Sequence, residues 1–471
     1  MGTLTFEQPV PLERLRHWAP MPVLMAGTFM IVLDFFVVNV ALPAMQAELH
    51  ASPSAIEWVV AGYGLTFATC LITGGRVGDQ IGRRRAFSIG LLLFTLASVA
   101  CALAPCPEVL IAARLVQGLA GALLSPNVLA IVGVIYRGHD RVQAITVYGM
   151  VMGVAAAGAQ LLGGLLIHAN LGGLGWRTIF LVNVPVGLAA LLLAPRLVPE
   201  SRAPSAHGLD VPGTLLLTTA LSAVLLPLVE GRQHGWPVWS WLSLAAAPVV
   251  LGVFVGYQQW LSRRGGAPLL DLALFKERAF NSGLLTQLTF WCGQASFFLV
   301  LALYLQHGRG LDPLQAGLVF TILAAAYMAT SLRAPKLTLR YGRGLIGVGA
   351  LILAAGHGLL FAGAGLVGST ESIVLLAAGL LLVGGGMGLC ITPLVSTVLS
   401  HIDPLRAGAV SGMLSTMQQL GNALGVAVTG VLFFGAVADG YTVAFEISVA
   451  QLGALLVIVA ALSRLLPAQH G

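Results

Sequence analysis

The sequence predicts an all-α polytopic membrane protein, and three observations support that fold class. The chain has 471 residues, of which 57% are hydrophobic and only 9% are charged, whereas soluble chains carry roughly 25% charged residues. Its mean hydropathy is +0.91. Fourteen apolar segments approach or exceed the length of about 20 residues that a helix needs to cross a bilayer. A composition of this kind excludes a disordered chain, a secreted disulfide scaffold and a coiled coil.

Each predicted span is an apolar run between polar turns. The fourteen runs lie near 21–43, 56–75, 86–105, 109–135, 143–167, 178–195, 211–229, 242–261, 280–305, 314–332, 344–366, 373–399, 407–434 and 443–462. The first run is too long for the apolar part of a cleavable signal peptide, and it carries an aspartate. No soluble domain is expected, because the loops between the runs are short.

Basic residues define the predicted orientation. With a cytoplasmic N-terminus, twenty of the 24 Lys and Arg residues fall in cytoplasmic segments, and only Arg177, Arg232 and Arg309 fall outside. The remaining basic residue, Arg114, lies inside the fourth run. Cytoplasmic loops of membrane proteins are enriched in Lys and Arg. We therefore expect both termini in the cytoplasm, and we attribute the net charge of +6 to topology rather than to nucleic-acid binding.

The sequence contains none of the patterns that would indicate a metalloprotein or an ATPase. Its five cysteines form no C-x-x-C pair and have no histidine at metal-ligand spacing, so they are expected to pack as small apolar residues without a metal. A G-x-x-x-x-G-K-[ST] phosphate-binding loop is also missing. No catalytic constellation is found within the runs, and we expect a non-enzymatic protein without a cofactor.

Two cytoplasmic loops resemble each other and indicate an internal repeat. The loop at 74–85 and the loop at 335–343 align on a Gly-Arg pair, which offsets the two halves by eight spans. Inverted and parallel repeats of this kind build transporter folds. The predicted order is therefore six spans, two additional spans and six spans. The corresponding domains are a tail at 1–20, a six-helix bundle at 21–195, a two-helix linker at 196–279, a second bundle at 280–462 and a tail at 463–471.

Five stretches together resemble the major facilitator superfamily, in its branch of fourteen-span drug:proton antiporters. The loop at 75–84, GRVGDQIGRR, is similar to the family loop G-x-L-a-D-r-x-G-r-k. The stretch LDFFVVNVALP at 33–43 resembles the first-helix signature of that branch. RLVQG at 114–118 resembles R-x-x-Q-G, AQLLGG at 159–164 resembles the fifth-helix motif G-P-x-x-G-G, and WRTIFLVNVP at 176–185 resembles W-R-x-x-F-x-x-N-x-P.

The resemblance implies a conformational latch in the first of these loops. The residues that match it are Gly75, Asp79, Gly82, Arg83 and Arg84, which would hold the two bundles together in the outward-facing state; an alternative is that the arginines serve orientation alone. Two departures from the family pattern stand out: Phe36 replaces the usual Thr, and Ala159-Gln160 replaces Gly-Pro. The second departure removes the proline that would kink the fifth helix.

Asp34 and Arg114 are the charged residues placed deepest in the N-terminal half. Asp34 lies about 3 Å from the middle of its span at 1.5 Å per residue, and Arg114 lies about 8 Å below the outer end of the fourth span. Each costs about 2.5–3.5 kcal/mol there on insertion scales unless it is partnered. We expect Asp34, Gln117 or Asn39 to partner Arg114, and we expect the Asp34–Arg114 pair to carry proton coupling. A static ion pair is the alternative.

Glu57 opens the second span on the outer side, just before Trp58. It is a candidate second protonatable group for proton coupling. The favoured alternative is a solvated residue at the membrane interface.

The fifth span carries a face of small residues that lets helices approach closely in lipid. Its candidate members, with the polar side chain among them, are Gly153, Gly158, Gln160, Gly163 and Gly164. The functional interpretation is a sliding contact between bundles, across which Gln160 could bond. Simple helix packing is the alternative.

The C-terminal half offers neutral polar and aromatic side chains instead of buried charges. A cavity of this chemistry suits a bulky, partly apolar ligand with a few hydrogen-bonding groups. The candidate cavity residues of both halves are Asn39, Gln117, Gln287, Trp291, Gln294, Tyr327, Gln418 and Asn422. Helix packing is the alternative for each of them, and for His357 we favour a packed neutral histidine over a titrating one.

We therefore expect a proton-driven antiporter that exports an amphipathic drug or antibiotic by alternating access and confers resistance. Its partners would be that small substrate, protons and the bilayer; it would lie in the cytoplasmic membrane of a bacterium and act as a monomer. The alternative is a facilitator or uptake carrier for a nutrient on the same fold, which would predict a more polar cavity than the mostly apolar interior here.

Overall fold

The computed structural model describes residues 17–202, 208–270, 272–366, 370–399 and 407–466, and within these ranges the chain is helical. Most of the predicted terminal tails, 1–20 and 463–471, lies outside them. The long helices are α1 (Pro20–Leu49), α2 (Pro53–Ile81), α3 (Arg83–Ala102), α4 (Pro107–Ile135), α5 (Gly138–Ala169), α6 (Thr178–Leu181 continued by Asn183–Leu197), α7 (Val211–Glu230), α8 (Val238–Arg263), α9 (Arg278–Leu303), α10 (Pro313–Ser331), α11 (Gly344–Ala364), α12 (Thr370–Leu399), α13 (Ala407–Ala436) and α14 (Tyr441–Ser463). A short helix, Ala334–Tyr341, precedes α11.

These helices have the length and composition of membrane spans. Thirteen described helices qualify, and a fourteenth is obtained when the bent α5 is counted as one span. Their outward faces carry large exposed apolar side chains, such as Leu96, Leu192, Leu242 and Val249. Exposed apolar faces on this scale suit lipid rather than water. The chain is a multi-pass membrane protein.

Most helices extend a few residues beyond the apolar runs that predicted them, and three of them begin at a polar capping residue. Ser52 accepts a hydrogen bond from the Ala55 amide at the start of α2, and Asp210 does the same for the Gly213 amide at the start of α7. Asp312 and Gln315 form a capping box at the start of α10. Such caps satisfy amide groups that have no partner within the helix.

Helix pairings within the first six helices recur eight helices later. The pairs α2–α4, α3–α4, α1–α5, α1–α6 and α3–α6 pack together, and so do α10–α12, α11–α12, α9–α13, α9–α14 and α11–α14. The most extensive contacts between the early and the late helices are the pairings α5–α10 and α2–α13, and α1 makes smaller contacts with α9 and α10. An offset of eight helices relates α2 to α10 and α5 to α13. The same offset therefore converts the α5–α10 pairing into the α2–α13 pairing. The chain therefore contains two similarly packed sets of helices that meet along α2, α5, α10 and α13.

The helices α7 and α8 form a hairpin beside that junction. α8 packs on α7, and α7 packs on both α2 and α13. An apolar cluster joins α2, α7 and α13; it consists of Leu65, Leu225, Val229, Ala423 and Ala427. α7 thus touches both sets of helices at once.

Two helices deviate from straight spans. α5 bends by 42° between the segments 143–156 and 158–169, although Gln160 stands where the related proteins place the proline. Gly158 lies at the start of the second segment. Its flexible backbone permits the bend that a proline would otherwise have produced. α6 is interrupted at Val182, between Thr178–Leu181 and Asn183–Leu197.

Candidate functional site

A buried ion pair joins α1 and α4 near the middle of the first set of helices. Asp34 is 0% exposed and Arg114 is 1% exposed. The Arg114 Nη1 group donates directly to Asp34 Oδ2. Two opposite charges in lipid-embedded protein require such contact, since each alone would be costly.

Neighbouring helices satisfy the remaining hydrogen-bonding capacity of the pair. Asp34 Oδ1 accepts from Gln117 Nε2 at 2.8 Å and from Asn183 Nδ2 at 3.1 Å. Arg114 donates from Nη1 to Gln117 Oε1 at 2.7 Å and from Nε to the Val59 carbonyl at 3.0 Å. The network therefore links α1, α2, α4 and α6.

A second layer of contacts holds this network in place. Gln117 Nε2 and Asn183 Nδ2 also lie 2.9 Å and 3.3 Å from Ser98 Oγ on α3. The Arg114 guanidinium lies over the Tyr63 ring at 4.4 Å, a favourable cation–π geometry. Five helices thus converge on one ionisable pair.

The structure selects between the partners that the sequence offered for Arg114. Asp34 and Gln117 contact it, whereas Asn39 donates instead to the Phe36 carbonyl at 3.1 Å. Sequence reasoning missed Asn183 and Ser98 as members of the network. Asn183 lies within the 176–185 motif, so a signal was present; Ser98 has no comparable signal.

Glu57 differs from the favoured expectation of a solvated interface residue. It is 1% exposed, because α7 and α13 cover it. Arg232 Nη2, in the α7–α8 turn, lies 3.9 Å from Glu57 Oε1, beyond hydrogen-bond distance. Neither carboxyl oxygen of Glu57 has a hydrogen-bond partner among the described residues.

The loop between α2 and α3 is held by its own half of the chain and by the segment after α6. Asp79 accepts from Arg83 at 2.8 Å, while the Arg84 amide donates to Glu200 at 3.0 Å. Gly82, at φ +111°, lies directly against the Glu200 carboxyl. An L-residue there would meet both backbone strain and Glu200. Gly75 lies against Pro126.

The glycines of α5 fall into two groups. A methyl group at Gly163 would collide with α1, and one at Gly164 would collide with the start of α10, whereas nothing lies within 4 Å of one at Gly158. One at Gly153 would make ordinary contact with Met328, at 3.7 Å. Among these glycines of α5, Gly164 is therefore the one in tight contact with the second set of helices.

Phe36 and Gln160, two residues that depart from the family pattern, contact each other. Gln160 Nε2 donates to the Phe36 carbonyl at 2.7 Å. The Phe36 ring in turn packs edge-on against Phe298 of α9, with centroids 5.0 Å apart. Gln160 therefore bonds to α1 rather than across to the second set of helices.

The polar residues of the later helices do not form one hydrogen-bonded cluster in the described structure. Gln287 Nε2 lies 3.5 Å from the Leu414 carbonyl, and Asn422 Nδ2 lies 3.4 Å from Gln419 Oε1. Trp291 packs beside Gly421. Tyr327 and Gln418 are half-buried, and Gln294 is buried beside a small cavity.

A small cavity among α9, α11, α12 and α14 is lined by Gln294, Phe297 and His357, together with four leucine and valine side chains and Gly293. His357 donates from Nδ1 to the Leu353 carbonyl at 2.9 Å, which fixes the tautomer of the neutral ring. Its Nε2 atom has no partner among the described residues. The structure confirms that His357 is packed within the bundle; its neutral state stays a prediction.

Known proteins resemble this chain in sequence and in fold. The family model of the Major Facilitator Superfamily matches residues 24–426. A probable actinorhodin transporter of Streptomyces coelicolor is 38% identical, over 90% of this chain and 74% of its own length. A puromycin resistance protein of Streptomyces alboniger is 35% identical, over 90% of this chain and 83% of its own, and a cephamycin export protein of Amycolatopsis lactamdurans is 35% identical, over 85% and 82%.

Solved structures support the same fold. The D-xylose-proton symporter superposes with a TM-score of 0.69, covering 96% of this chain and 98% of its own, at 16% identity. A nucleoside transporter superposes with a TM-score of 0.66, covering 96% and 100%, at 14% identity. At such identities the likeness concerns the fold alone. With the family model covering most of the sequence, the chain belongs to the major facilitator superfamily.

Proposed function

We propose that this protein exports an amphipathic drug or antibiotic from a bacterial cell in exchange for protons. It would use the fourteen-span, six-two-six arrangement, alternating access and cytoplasmic termini. The names of its relatives, a probable actinorhodin transporter, a cephamycin export protein and a puromycin resistance protein, support the export of such a compound. The Asp34–Arg114 network is the single observation that carries proton coupling.

The network is suited to coupling because one proton changes its bonding. Ionised Asp34 accepts from Arg114, Gln117 and Asn183. When a proton binds an oxygen of Asp34, the carboxyl becomes neutral and that oxygen turns from acceptor to donor. Arg114 then keeps its bonds to Gln117 and to the Val59 carbonyl but loses its anionic partner. α1 is thereby released from the cluster of α2, α4 and α6.

The recurrence of helix pairings supports alternating access. The two sets of helices share five helix pairings, so each can move as a unit against the other. The contacts between them include tight approaches, such as Gly164 on the start of α10. Each half-cycle of transport would break one group of such contacts and form another.

The test is transport by the full-length protein in everted membrane vesicles. Puromycin is the first probe compound, followed by an amphipathic fluorescent dye, and acridine orange reports the proton gradient. We expect added substrate to be accumulated and to dissipate part of the gradient. A protonophore should abolish accumulation.

Three variants separate coupling from export. Asp34→Asn and Arg114→Lys should lose most gradient-driven accumulation, since the first removes the proton site and the second loses the planar fork of the guanidinium. Glu108→Gln, which changes an exposed acid of α4, is the matched control and should transport normally. Normal accumulation by both network variants would refute coupling through this pair, and accumulation unaffected by the protonophore would refute proton drive altogether.

A further inference from the structure

Glu57 is a buried acid without hydrogen bonds. Its side chain is 1% exposed, and both carboxyl oxygens lack a hydrogen-bond donor among the described residues. A carboxylate without donors is costly to bury, whereas a protonated carboxyl is much less so. This position therefore favours the neutral form.

Glu57 is enclosed by α2, α13 and the α7–α8 turn, at the place where the two sets of helices meet. We call the contact of α2 with α13 at Glu57, Gly64, Ala423 and Gly430 the outer seam. At its end, the Glu57 carboxyl lies so close to Gly430 that a methyl group there would overlap it. Further along, a methyl group at Gly64 would lie 3.4 Å from Ala423 Cβ. The acid is thus enclosed by the closure of the seam.

The α7–α8 turn ties both sides of the outer seam together. Glu230, at the end of α7, accepts from Trp58 Nε1 at 2.9 Å and from Ser54 Oγ at 3.3 Å, both on α2. Arg232 donates to the Phe434 carbonyl of α13 at 3.3 Å and lies over the Phe434 ring at 5.5 Å. The hairpin of α7 and α8 therefore acts as a strap across the seam.

The charges that face Glu57 do not compensate an ionised carboxylate well. Among the residues that the structure describes, Arg232 is the cation that faces Glu57, at 3.9 Å, and 21% of its side chain is exposed to solvent. Glu230 repels a second negative charge. His234 lies near through its Nδ1 contact of 3.0 Å with the Glu230 carbonyl. The α13 neighbours, Gly430 and Phe434, have no ionisable group.

We propose that Glu57 is a proton-binding site whose protonation permits the outer seam to close, with the α7–α8 turn acting as the strap that holds it closed. The inference rests on the proposed proton-coupled export for its place in a cycle. Opening of the seam would expose the carboxylate to the outer solution, where it would bind a proton. Closure would then bury the neutral carboxyl against Gly430. Proton binding from outside would thus precede the return of the empty carrier, as antiport requires.

Spin–spin distances across the outer end test the proposal without any substrate. Labels are attached through p-acetylphenylalanine at Ala47 and at Ala438, both exposed, so that the native cysteines remain. The full-length protein is reconstituted in nanodiscs and measured from pH 5 to pH 9. The wild type should shift from the long to the short distance as the pH falls.

Glu57→Gln mimics the neutral acid and should show the short distance at every pH. Glu108→Gln should titrate like the wild type. Gly430→Ala should lose the short distance at every pH, since its methyl group occupies the place of the carboxyl; it provides a second readout if Glu57→Gln fails to insert.

A Glu57→Gln protein that titrates like the wild type would overturn the proposal, and so would a Gly430→Ala protein with an unchanged short distance. These outcomes are independent of export. If vesicles show no transport but the distances follow Glu57, the proposed function fails and the proton-dependent closure stands. If transport is proton-driven but the spin–spin distances do not depend on the residue at position 57, the proposed role of Glu57 fails and the proposed export stands.

Discussion

Removal of Asp34 should destabilise the protein by an amount that its contacts define. Asparagine at this position offers one acceptor oxygen in place of two, against the three donors of Arg114, Gln117 and Asn183. Each hydrogen bond to a charged group contributes about 1.5–3 kcal/mol, so loss of two bonds costs about 3–6 kcal/mol. A buried ion pair that loses one partner costs a similar amount, about 3–5 kcal/mol.

The interaction between Asp34 and Arg114 is measured by a double-mutant cycle. Asp34→Asn and Arg114→Met should each lower the free energy of unfolding by about 3–5 kcal/mol. The double variant should cost less than the sum by about 2 kcal/mol or more, since neither charge is then left alone. In a chain of this size, each single change should lower the apparent Tm by roughly 5 °C.

The assay is thermal unfolding of the purified protein in one detergent, followed by intrinsic fluorescence at a fixed scan rate. The partly exposed pair Asp79–Arg83, with N–O distance 2.8 Å, is the matched control, and its coupling energy should be about 0–1 kcal/mol. Additivity of the Asp34 and Arg114 changes to within about 0.5 kcal/mol would refute the network described above.

Three further changes have defined outcomes, each measured as export rate in everted vesicles after insertion is checked by protein level. Asn183→Leu removes a donor to Asp34 Oδ1 and should slow export about tenfold, equivalent to about 1.4 kcal/mol; an unchanged rate would remove Asn183 from the coupling network. Asp79→Asn should slow export if its loop latches the bundles, and wild-type transport would exclude that role. Gly164→Leu should block export because α10 fills the space beside it, while Gly149→Ala should be silent because nothing lies within 4 Å; equal effects of the two would argue against a tight α5–α10 contact.

The spans and the central pair follow from local properties of the sequence. Long apolar runs predict helices because the bilayer forces backbone hydrogen bonds to be made within each span. Asp34 and Arg114 stand out because charges are rare in such runs, and rare buried charges must find one another. The helices and their order were accordingly predictable to within a few residues for most spans. Contact with Asp34 was one of three possibilities that the sequence offered for Arg114, and the structure selects it together with Gln117.

Other features depend on contacts distant in sequence and could not be predicted from local patterns. Glu57 looks like an interface residue until Arg232 and Gly430, far along the chain, are brought against it. Ser98 joins the network only because α3 packs on α4. The bend of α5 remains although the expected proline is missing, because Gly158 supplies the flexibility. The burial of Glu57 and the part that Ser98 takes in the network cannot be read from the residues adjacent to them in sequence.

The bond between Gln160 and Phe36 implies an asymmetry in mutational tolerance. Gln160 uses its side chain, whereas position 36 contributes only its backbone carbonyl. Any residue at position 36 can present that carbonyl. A substitution there therefore alters the aromatic contact with Phe298 but leaves the hydrogen bond between α1 and α5 intact. A change at 160 removes the bond whatever stands at 36. A saturation library of the two positions should therefore retain many residues at 36 and few at 160.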